Sequence, residues 1–534
     1  STRPTDFMLP EKNVSDWADI QVPGNWERQG FGIPIYVNTS YEFCSPGYAP
    51  YWDRPNPPYV PEEWNPTGTY RRDFTLPADW NGKHTVLHFG AVMGKTQVYV
   101  NGKLAGENFE LFLPFELDVT SFLKPGQENE ILVGVAKASL FDDRGKYGRR
   151  TYVGGSMWGI EMAGIWQDVF LLASAPVYVS DVFVQPDPEK KVLAVELEIS
   201  NTTAQKQIVN VDGEVRRWFS TAGRSVHEAP SESGALEKEA SLNFATQKKV
   251  ELPAGASVKV RLEKSNVEGL EYWTPDTPNL YGLVVSVGDK KQTLDKKYQR
   301  FGWRIFRTEG NRLLLNGNPI QLKGDSWHFT GVPQMTRRYA WAWFNMLKNT
   351  NANAVRFHAQ PYPSFYMDVA DEMGICVLDE TGIWSSDGGP KIDSEDYWES
   401  CVEHIRRLIK RDKNHPSVFG WSVCNETVPV AVNVFKAPEA LVERQLQEIN
   451  RWVKTVQDAD PTRNWISGDG ETDRPTDLPT VIGHYGGMDG MKHWANQGKP
   501  WGIGEQSMAY YGTPKQASVY NGDRAYESMQ GRME

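Results

Sequence analysis

The stretch NAVRFHAQPYPSFYMDVADEMGICVLDE, Asn353 to Glu380, places an amphipathic segment between two short apolar runs. The runs at 353–357 and 375–379 predict strands, and residues 362–373 between them predict a helix. A strand, a helix and a second strand in this order are typical of a βα unit joined to its parallel neighbour. The stretch therefore predicts a parallel sheet built from βα units.

The same alternation continues on both sides of this stretch. Further strands are predicted near 320–324, 417–424, 464–467, 480–484 and 500–504, and further helices near 334–350, 396–413 and 437–458. Repeated βα units at this spacing favour a (β/α)8 TIM barrel over an open sheet. The first strand is not followed by a Gly-rich phosphate loop, which argues against a dinucleotide-binding fold.

Two β-rich regions precede the barrel. Residues 1–175 contain short apolar runs separated by turn residues, and Asn101-Gly102 between QVYV and KLAG predicts a hairpin. Residues 176–305 alternate apolar and polar residues, which predicts an antiparallel β-sandwich. The predicted barrel domain is 306–534. Only 29 residues follow Glu505, too few for an eighth βα unit, so we expect an incomplete barrel and a longer natural protein.

Composition excludes several classes of function. The chain has 534 residues, 40% of them hydrophobic, which fits about two to four globular domains. A net charge of -11 argues against a nucleic-acid-binding protein. The sequence contains no apolar run of about 18 residues, so we expect no membrane span. The four cysteines have no CxxC spacing, which favours buried thiols over a disulfide or a zinc site.

Polar residues follow the predicted barrel strands, at the positions where TIM-barrel active sites lie. They are Asp325, His328, Arg356, His358, Asp379, Glu380, Asn425, Glu426, His484, Tyr485 and Glu505. Glu426 and Glu505 follow well-defined strands that face each other across the predicted barrel. Paired carboxylates suit glycoside hydrolysis, because one protonates the leaving oxygen while the other attacks the anomeric carbon or activates water. An Asn-Glu pair also fits a loop cap, and the joint placement of both glutamates favours catalysis.

Four stretches resemble glycoside hydrolase family 2, which includes β-galactosidases and β-glucuronidases. DKNHPSVFGWSVCNE (Asp412 to Glu426) is similar to the family's acid/base signature, with Gly420 where an aliphatic residue is usual. Asn353 to Glu380 is similar to the other signature, with HAQPYP in place of the commoner HYP. NPPYVPEEWNPTGTYRRDF and IPIYVNTSY resemble the N-terminal sugar-binding domain of the large β-galactosidases.

The resemblance implies a jelly-roll β-sandwich, an immunoglobulin-like β-sandwich and a catalytic TIM barrel. It also implies a retaining mechanism through a covalent glycosyl-enzyme, with Glu426 as acid/base and Glu505 as nucleophile. The predicted substrate-binding residues are Asn425, His328, His358, Tyr485, Asn38, Trp384 and Asp325. Arg356 and Glu380 are predicted to support the site, with Arg356 pairing to a catalytic carboxylate.

Two departures from the family bear on metal ions and on substrate. Where the β-galactosidases have an Asp that binds the 6-hydroxyl and a sodium ion, this chain has Ser156. Trp384 and Ser386 replace their magnesium ligands in DETGIWSSDG. Because hard cations need several oxygen ligands, we expect no metal and no cofactor. Trp384 either stacks on a sugar or covers the barrel rim.

The sequence therefore predicts a retaining exo-β-glycosidase with a carbohydrate substrate, above all β-D-galactosides of oligo- or polysaccharide origin. A β-glucuronidase or another family 2 specificity is the alternative, and a non-hydrolytic carbohydrate-binding protein is a further one. Homo-oligomerisation is compatible with the sequence. The start STRPTDF, without Met, fits a processed protein and favours an extracytoplasmic location.

Overall fold

The computed structural model describes most of the chain. The described residues are 9, 12–32, 35–36, 67–136, 153, 160–219, 235–289, 292–327, 329, 334–384, 392–434, 436–471 and 473–505. Three parts follow one another along the chain, and two are antiparallel sandwiches. Among the described helices, none has the length and apolar character that crossing a membrane requires.

The first part packs antiparallel sheets around an apolar core. Its strands are β1 (Ile35–Tyr36), β2 (Thr67–Thr75), β3 (His84–Phe89), β4 (Val92–Met93), β5 (Lys95–Val100), β6 (Lys103–Asn108), β7 (Phe115–Asp118), β8 (Glu128–Ala136), β9 (Ile160–Glu161), β10 (Gly164–Ile165) and β11 (Val169–Ser174). The larger sheets have the orders β2-β8-β5-β6 and β11-β3-β7. Asn101 and Gly102 have φ of 50° and 77° between β5 and β6, which confirms the predicted hairpin.

The second part is the immunoglobulin-like sandwich. Its strands are β12 (Val177–Asp187), β13 (Val192–Asn201), β14 (Gln207–Phe219), β15 (Ala235–Leu236), β16 (Leu242–Leu252), β17 (Ala256–Ser265), β18 (Leu280–Gly288) and β19 (Thr293–Phe301). One sheet has the order β12-β13-β17, and the other has β15-β14-β18-β19 with β16 paired to β14. Alternate residues such as Val195, Leu197, Val211 and Leu283 point inward and form the core.

The third part is a parallel barrel. Its strands are β23 (Gly324–Trp327), β24 (Ala354–Phe357), β25 (Cys376–Glu380), β26 (Val418–Asn425), β27 (Ile466–Asp469), β28 (Val481–His484) and β29 (Trp501–Glu505). They pair in chain order, each parallel to the next. The helices are α1 (Arg337–Asn349), α2 (Ser364–Met373), α3 (Glu395–Asp412), α4 (Thr427–Asn433), α5 (Glu439–Ala459) and α6 (Met488–Ala495).

A small antiparallel sheet lies at the amino ends of the barrel strands. It consists of β20 (Phe306–Glu309), β21 (Arg312–Leu315) and β22 (Asn318–Pro319). Phe306, Leu313 and Leu315 pack against Ala354 and Cys376, which begin their strands. The opposite, carboxyl end of the barrel is where the polar strand-end residues lie.

The predicted fold class is confirmed in its sandwich, immunoglobulin-like and barrel parts, and Cys376, Cys401 and Cys424 are buried. The strand predicted near 320–324 is wrong, because the first parallel ladder begins at Gly324. A Cβ at Gly324 would lie 2.2 Å from the Ala354 carbonyl oxygen, so only glycine allows this approach. The short helices α4 and α6 were not predicted. Residues 506–534 lie outside the described residues, so the incomplete barrel stays a prediction.

Candidate active site

Six consecutive barrel strands bring polar side chains to the carboxyl end of the barrel. β24 contributes Arg356 and is followed by His358, and β25 and β26 end in Glu380 and Asn425. The remaining residues are Glu426 after β26, Asp469 at the end of β27, His484 and Tyr485 at β28, and Glu505 at the end of β29. Because parallel strands end at one face, residues far apart in sequence meet here.

Glu426 lies at the junction of β26 and α4. Its φ of 49° is in the left-handed region, which turns the chain sharply from strand to helix. The backbone N–H of Glu426 donates to the carbonyl oxygen of Asp469 at 2.7 Å. Its side chain is 29% exposed, and Oε1 is 2.8 Å from Nδ1 of His484. The carboxyl group is therefore held at one oxygen and still open to the barrel mouth.

Glu505 is surrounded by hydrogen-bond donors. Nε2 of His358 is 2.7 Å and Nη1 of Arg356 is 3.1 Å from Oε1, while the Tyr485 hydroxyl donates to Oε2. Burial raises the pKa of Glu505, but the hydrogen bond from His358 and the charges of Arg356 and His484 outweigh burial and lower the pKa well below its usual range. Glu505 is therefore an ionised carboxylate at neutral pH.

The two glutamates lie close to each other. A carboxylate oxygen of Glu426, a carboxylate oxygen of Glu505 and a ring nitrogen of His484 all lie within 4.8 Å of one another. The sequence places Glu426 and Glu505 at strand ends, and in the folded barrel their carboxyl groups are neighbours.

Arg356 is the buried cation at the centre of the site, with a side chain only 6% exposed. Its Nε and Nη2 donate to the two oxygens of Glu380, each at 2.9 Å, and Nε is also 3.0 Å from Asp469. Burial alone would lower the pKa of Arg356, but Asp469, Glu380 and Glu505 raise it. Arg356 thus pairs with Glu380 and with Glu505, and its role in supporting a catalytic carboxylate stays a prediction.

The two histidines differ in charge. Burial and the neighbouring Arg356 lower the pKa of His358, so the imidazole is neutral and Nε2–H donates to Glu505. Burial opposes the charged form of His484 as well, but hydrogen bonds with Asp469 and Glu426 raise its pKa to about 9. His484 is therefore protonated at neutral pH and donates to Glu426.

Asn425 presents its amide group to the same space. Nη2 of Arg356 donates to Oδ1 of Asn425 at 2.5 Å, which orients the amide. Among the described residues, its Nδ2 donates no hydrogen bond. The backbone N–H of Asn425 donates to the Ile383 carbonyl oxygen at 2.9 Å. The hydrogen bond that Oδ1 accepts from Arg356 therefore sets the direction of the NH2 group, which can donate to a ligand hydroxyl.

The remaining predicted site residues are placed differently. Trp384 forms a backbone bridge with Asn425, and its side chain is 3% exposed, which fits a residue that covers the barrel rim. Asp325 lies inside β23 and is exposed, rather than at a strand end. Asn38 and His328 lie outside the described residues, as do Ser156 and Ser386. Their predicted roles stay predictions.

Asp469 and His484 belong to the site but were not among the predicted site residues. Asp469 is fully buried, and its Oδ2 accepts from Ser422 Oγ at 2.9 Å. The end of the predicted strand near 464–467 was the available signal, because ISGD ends in a carboxylate. His484 was recognised only as a strand-end residue, since its contacts depend on the barrel.

Two groups of three His and carboxylate side chains, among the described residues, have ligand atoms close enough to hold a metal ion. One is Glu426, His484 and Glu505, where the protonated His484 and Arg356 already supply positive charge. The other is Asp368, Asp371 and His415, where Arg300 contacts both aspartates at 2.6 and 3.2 Å. In both groups a side-chain cation already pairs with the carboxylates.

Comparison with protein families matches almost the whole chain. Residues 6–175 match the sequence model for the sugar binding domain of glycosyl hydrolases family 2. Residues 177–304 match the model named glycosyl hydrolases family 2, and residues 306–501 match its TIM barrel domain.

Curated relatives are similar over most of this chain. A β-galactosidase of Priestia megaterium (strain DSM 319 / IMG 1521) is 28% identical over 446 residues, 80% of this chain and 39% of that protein. A β-galactosidase of Streptococcus thermophilus is 30% identical over 440 residues, 79% of this chain and 38% of that protein. This chain therefore spans less than half the length of these relatives.

Solved structures share the fold. A Bacteroides uniformis β-glucuronidase has a TM-score of 0.69 at 22% identity and covers 100% of this chain and 56% of its own. A β-glucuronidase from Ruminococcus gnavus has a TM-score of 0.63 at 21% identity and covers 88% of this chain and 80% of its own.

Proposed function

Because this chain belongs to glycosyl hydrolase family 2, we propose that it is a retaining exo-β-glycosidase that removes terminal β-linked sugars. The observation that carries the proposal is the pair Glu426 and Glu505, whose carboxylate oxygens approach within 4.8 Å while Glu505 is held ionised. Retaining glycosidases separate their carboxyl groups by about 5–5.5 Å, and inverting ones by about 6.5–9.5 Å.

In the first step, an oxygen of Glu505 forms a bond to the anomeric carbon as the bond to the leaving oxygen breaks. The carboxyl group of Glu426 gives its proton to that oxygen, and the aglycone departs as an alcohol. His358, Arg356 and Tyr485 hold Glu505 in one orientation for this attack. The product is a covalent glycosyl-enzyme with inverted configuration.

In the second step, the carboxylate of Glu426 takes a proton from water as the water oxygen bonds to the anomeric carbon. The bond to Glu505 breaks, Glu426 is protonated again, and the sugar leaves with its original β configuration. Two inversions give net retention. We infer that the amide NH2 of Asn425, whose Oδ1 accepts from Arg356, donates to the sugar 2-hydroxyl, a contact that strengthens in the transition state.

We propose β-D-galactosides of oligo- or polysaccharide origin as the substrate class. Support comes from the curated relatives named β-galactosidase, which match 79–80% of this chain at 28–30% identity. β-Glucuronides are the second candidate, because the family includes β-glucuronidases; the solved β-glucuronidases, at 21–22% identity, support the fold alone.

Replacing Glu505 with Gln should abolish turnover of aryl β-glycosides, because the amide is a poor nucleophile of similar shape. Glu426→Gln should lower kcat/KM, which reports the first step, by about 10²- to 10⁴-fold for alkyl β-glycosides and far less for dinitrophenyl β-glycosides, because an activated leaving group needs no proton. Asp489→Asn, at an exposed carboxylate on α6, is the matched control. Wild-type rates in Glu505→Gln would reject the mechanism.

A 2-deoxy-2-fluoro β-glycoside with a dinitrophenyl leaving group tests retention directly. The fluorine slows both steps and the leaving group speeds only the first, so a glycosyl adduct should accumulate on the peptide that contains Glu505, as measured by mass spectrometry. Absence of an adduct during turnover would favour inversion.

Rates on aryl β-galactoside, β-glucuronide, β-glucoside and β-mannoside decide the sugar, with the galactoside expected to be fastest. If the β-glucuronide were cleaved faster than the β-galactoside, β-glucuronides would be the substrate class instead. Sugar binding by calorimetry without cleavage of any substrate would indicate a carbohydrate-binding protein.

A further inference from the structure

A loop of the first sandwich enters the core of the barrel. It connects β6 to β7. Its residues Leu111, Phe112 and Leu113 are at most 2% exposed, and they belong to the same apolar cluster as Ile383 of the barrel. The indole Nε1 of Trp166 donates to the Leu111 carbonyl oxygen at 3.0 Å and fixes the loop from its own domain. The first sandwich is thus packed directly beneath the loop that follows β25.

The same loop carries a buried carboxylate, Glu110, into the barrel. Its Oε2 is 2.8 Å from Nδ1 of His404 on α3, and its Oε1 accepts from the Phe112 N–H at 3.0 Å. The side chains of Glu110 and His404 are 9% and 0% exposed. Burial raises the pKa of Glu110, but the interactions with His404 and the Phe112 N–H outweigh burial and lower it. Glu110 is therefore an ionised acceptor.

His404 connects Glu110 to the barrel loop 381–384. The backbone N–H of Gly382 donates to Nε2 of His404 at 2.9 Å. Because Nε2 accepts this hydrogen bond, it carries no proton, and the ring proton lies on Nδ1 facing Glu110. Glu110 thus selects the imidazole tautomer that can accept from Gly382.

The loop 381–384 in turn contacts the strand that carries the catalytic residues. The Thr381 hydroxyl donates to the Val423 carbonyl oxygen at 2.8 Å. The Asn425 N–H donates to the Ile383 carbonyl oxygen at 2.9 Å, and Trp384 bridges to Asn425. The position of Asn425, and of Glu426 after it, therefore depends on where Gly382 and Ile383 lie.

We propose that Glu110 and His404 are positioning residues for catalysis, through which the first sandwich holds the loop 381–384 and so aligns Asn425 and Glu426. This inference rests on the proposed function. Neither residue touches the site, so the effect reaches the chemistry only through Gly382 and Ile383. The carboxylate comes from a position 294 residues before His404, in a different domain.

Glu110→Ala tests the inference in the full chain. We expect kcat to fall about 10- to 100-fold with a small change in KM, because small displacements of aligned groups cost rates of this size. The fall in kcat/KM, which reports the first step, should be larger for alkyl than for dinitrophenyl glycosides, since Glu426 is displaced. Glu110→Gln should recover part of the rate, because its amide oxygen still accepts from His404.

Glu116→Ala is the matched control, because Glu116 also pairs with a histidine in the first sandwich, His88 at 2.9 Å. It should leave kcat and leaving-group dependence unchanged. Equal rates for Glu110→Ala and Glu116→Ala would overturn the inference. A fall in kcat/KM that is equal for all leaving groups would overturn it too, because such a loss indicates a smaller folded fraction.

Hydrogen–deuterium exchange gives a readout that does not depend on activity. The peptide that contains Gly382 and Ile383 should exchange faster in Glu110→Ala than in the wild type or in Glu116→Ala. Unchanged exchange would contradict the inference even if activity fell. If the wild type cleaved no glycoside, the proposed function would fail, while the exchange experiment would still decide the role of Glu110 and His404 in holding the loop.

Discussion

Two glutamates of identical chemistry have different surroundings in the barrel. Glu505 faces three donors, of which Arg356 is permanently charged, and is held as a carboxylate. Glu426 faces one protonated imidazole and remains partly open to solvent. The proposed roles of Glu505 as nucleophile and Glu426 as acid/base therefore rest on the contacts of each carboxyl group, not on residue type.

His484 should make the free energy of unfolding depend on pH. Its pKa is about 9 in the folded protein and about 6.5 when unfolded, so its stabilising contacts act fully below about pH 6.5 and are lost as pH rises through 9. Between these pH values the wild type should lose on the order of 3 kcal/mol more stability than His484→Asn. Calorimetric unfolding of both proteins across this range measures the difference, and parallel pH curves would contradict the assignment.

Helix α4 begins directly after Glu426, so its first turn determines where that residue lies. Glu471, from the loop after β27, accepts from the Thr427 hydroxyl at 2.7 Å and from the Val428 N–H at 3.0 Å through Oε1. This carboxyl group satisfies a first-turn N–H of the helix, as an N-cap side chain does. Burial raises the pKa of Glu471 to about 7, although these hydrogen bonds act to lower it.

Removing this cap should destabilise the barrel. Glu471→Ala leaves a buried N–H and hydroxyl without their acceptor, and we expect a loss of about 1–3 kcal/mol in unfolding free energy. Glu471→Gln keeps an acceptor oxygen and should cost less. Differential scanning calorimetry compares the two variants, and equal stability of Ala and Gln would show that the contact does not cap α4.

At the scale of the whole molecule, ion pairs join the immunoglobulin-like sandwich to the barrel. Arg300 on β19 contacts Asp368, Asp371 and Glu372 on α2 at 2.6, 3.2 and 2.8 Å, and it lies over the Trp218 ring. The Arg300 and Asp371 side chains are 12% and 1% exposed. Replacing Arg300 removes one cation from this network, while Arg337 still pairs with Asp368 and Glu372 and His415 still pairs with Asp371.

Arg300→Met should lower stability by about 1–3 kcal/mol, because the partly buried carboxylates lose hydrogen-bond donors but keep a cationic partner. Arg261→Met is the control, because Arg261 pairs with Glu196 at 3.0 Å on the surface, with side chains 49% and 47% exposed. Such a pair contributes about 0–1 kcal/mol. Thermal unfolding of both variants tests the difference, and similar melting temperatures would indicate that the sandwich and barrel do not depend on this contact.

Much of the fold followed from local patterns. The strands ending at Phe357, Glu380 and Asn425 were predicted within about one residue, because buried parallel strands are short apolar runs with polar residues at their ends. α4 was missed because seven residues after a strand show too little helical periodicity. The first barrel strand was misplaced because the apolar residues Ile320 and Leu322 pack beneath the barrel instead of entering it.

The sequence by itself determined the order of strands and helices and placed Glu426 and Glu505 at strand ends, since both properties depend on neighbouring residues. Only the tertiary structure decided which polar groups touch. Arg356 pairs with Glu380, Asp469 and Glu505, which lie on three different strands. Glu110 pairs with His404 of another domain. Hydrogen bonds require placement to a few tenths of an ångström, and that placement exists only once the strands have paired around the barrel and the sandwiches have packed against it.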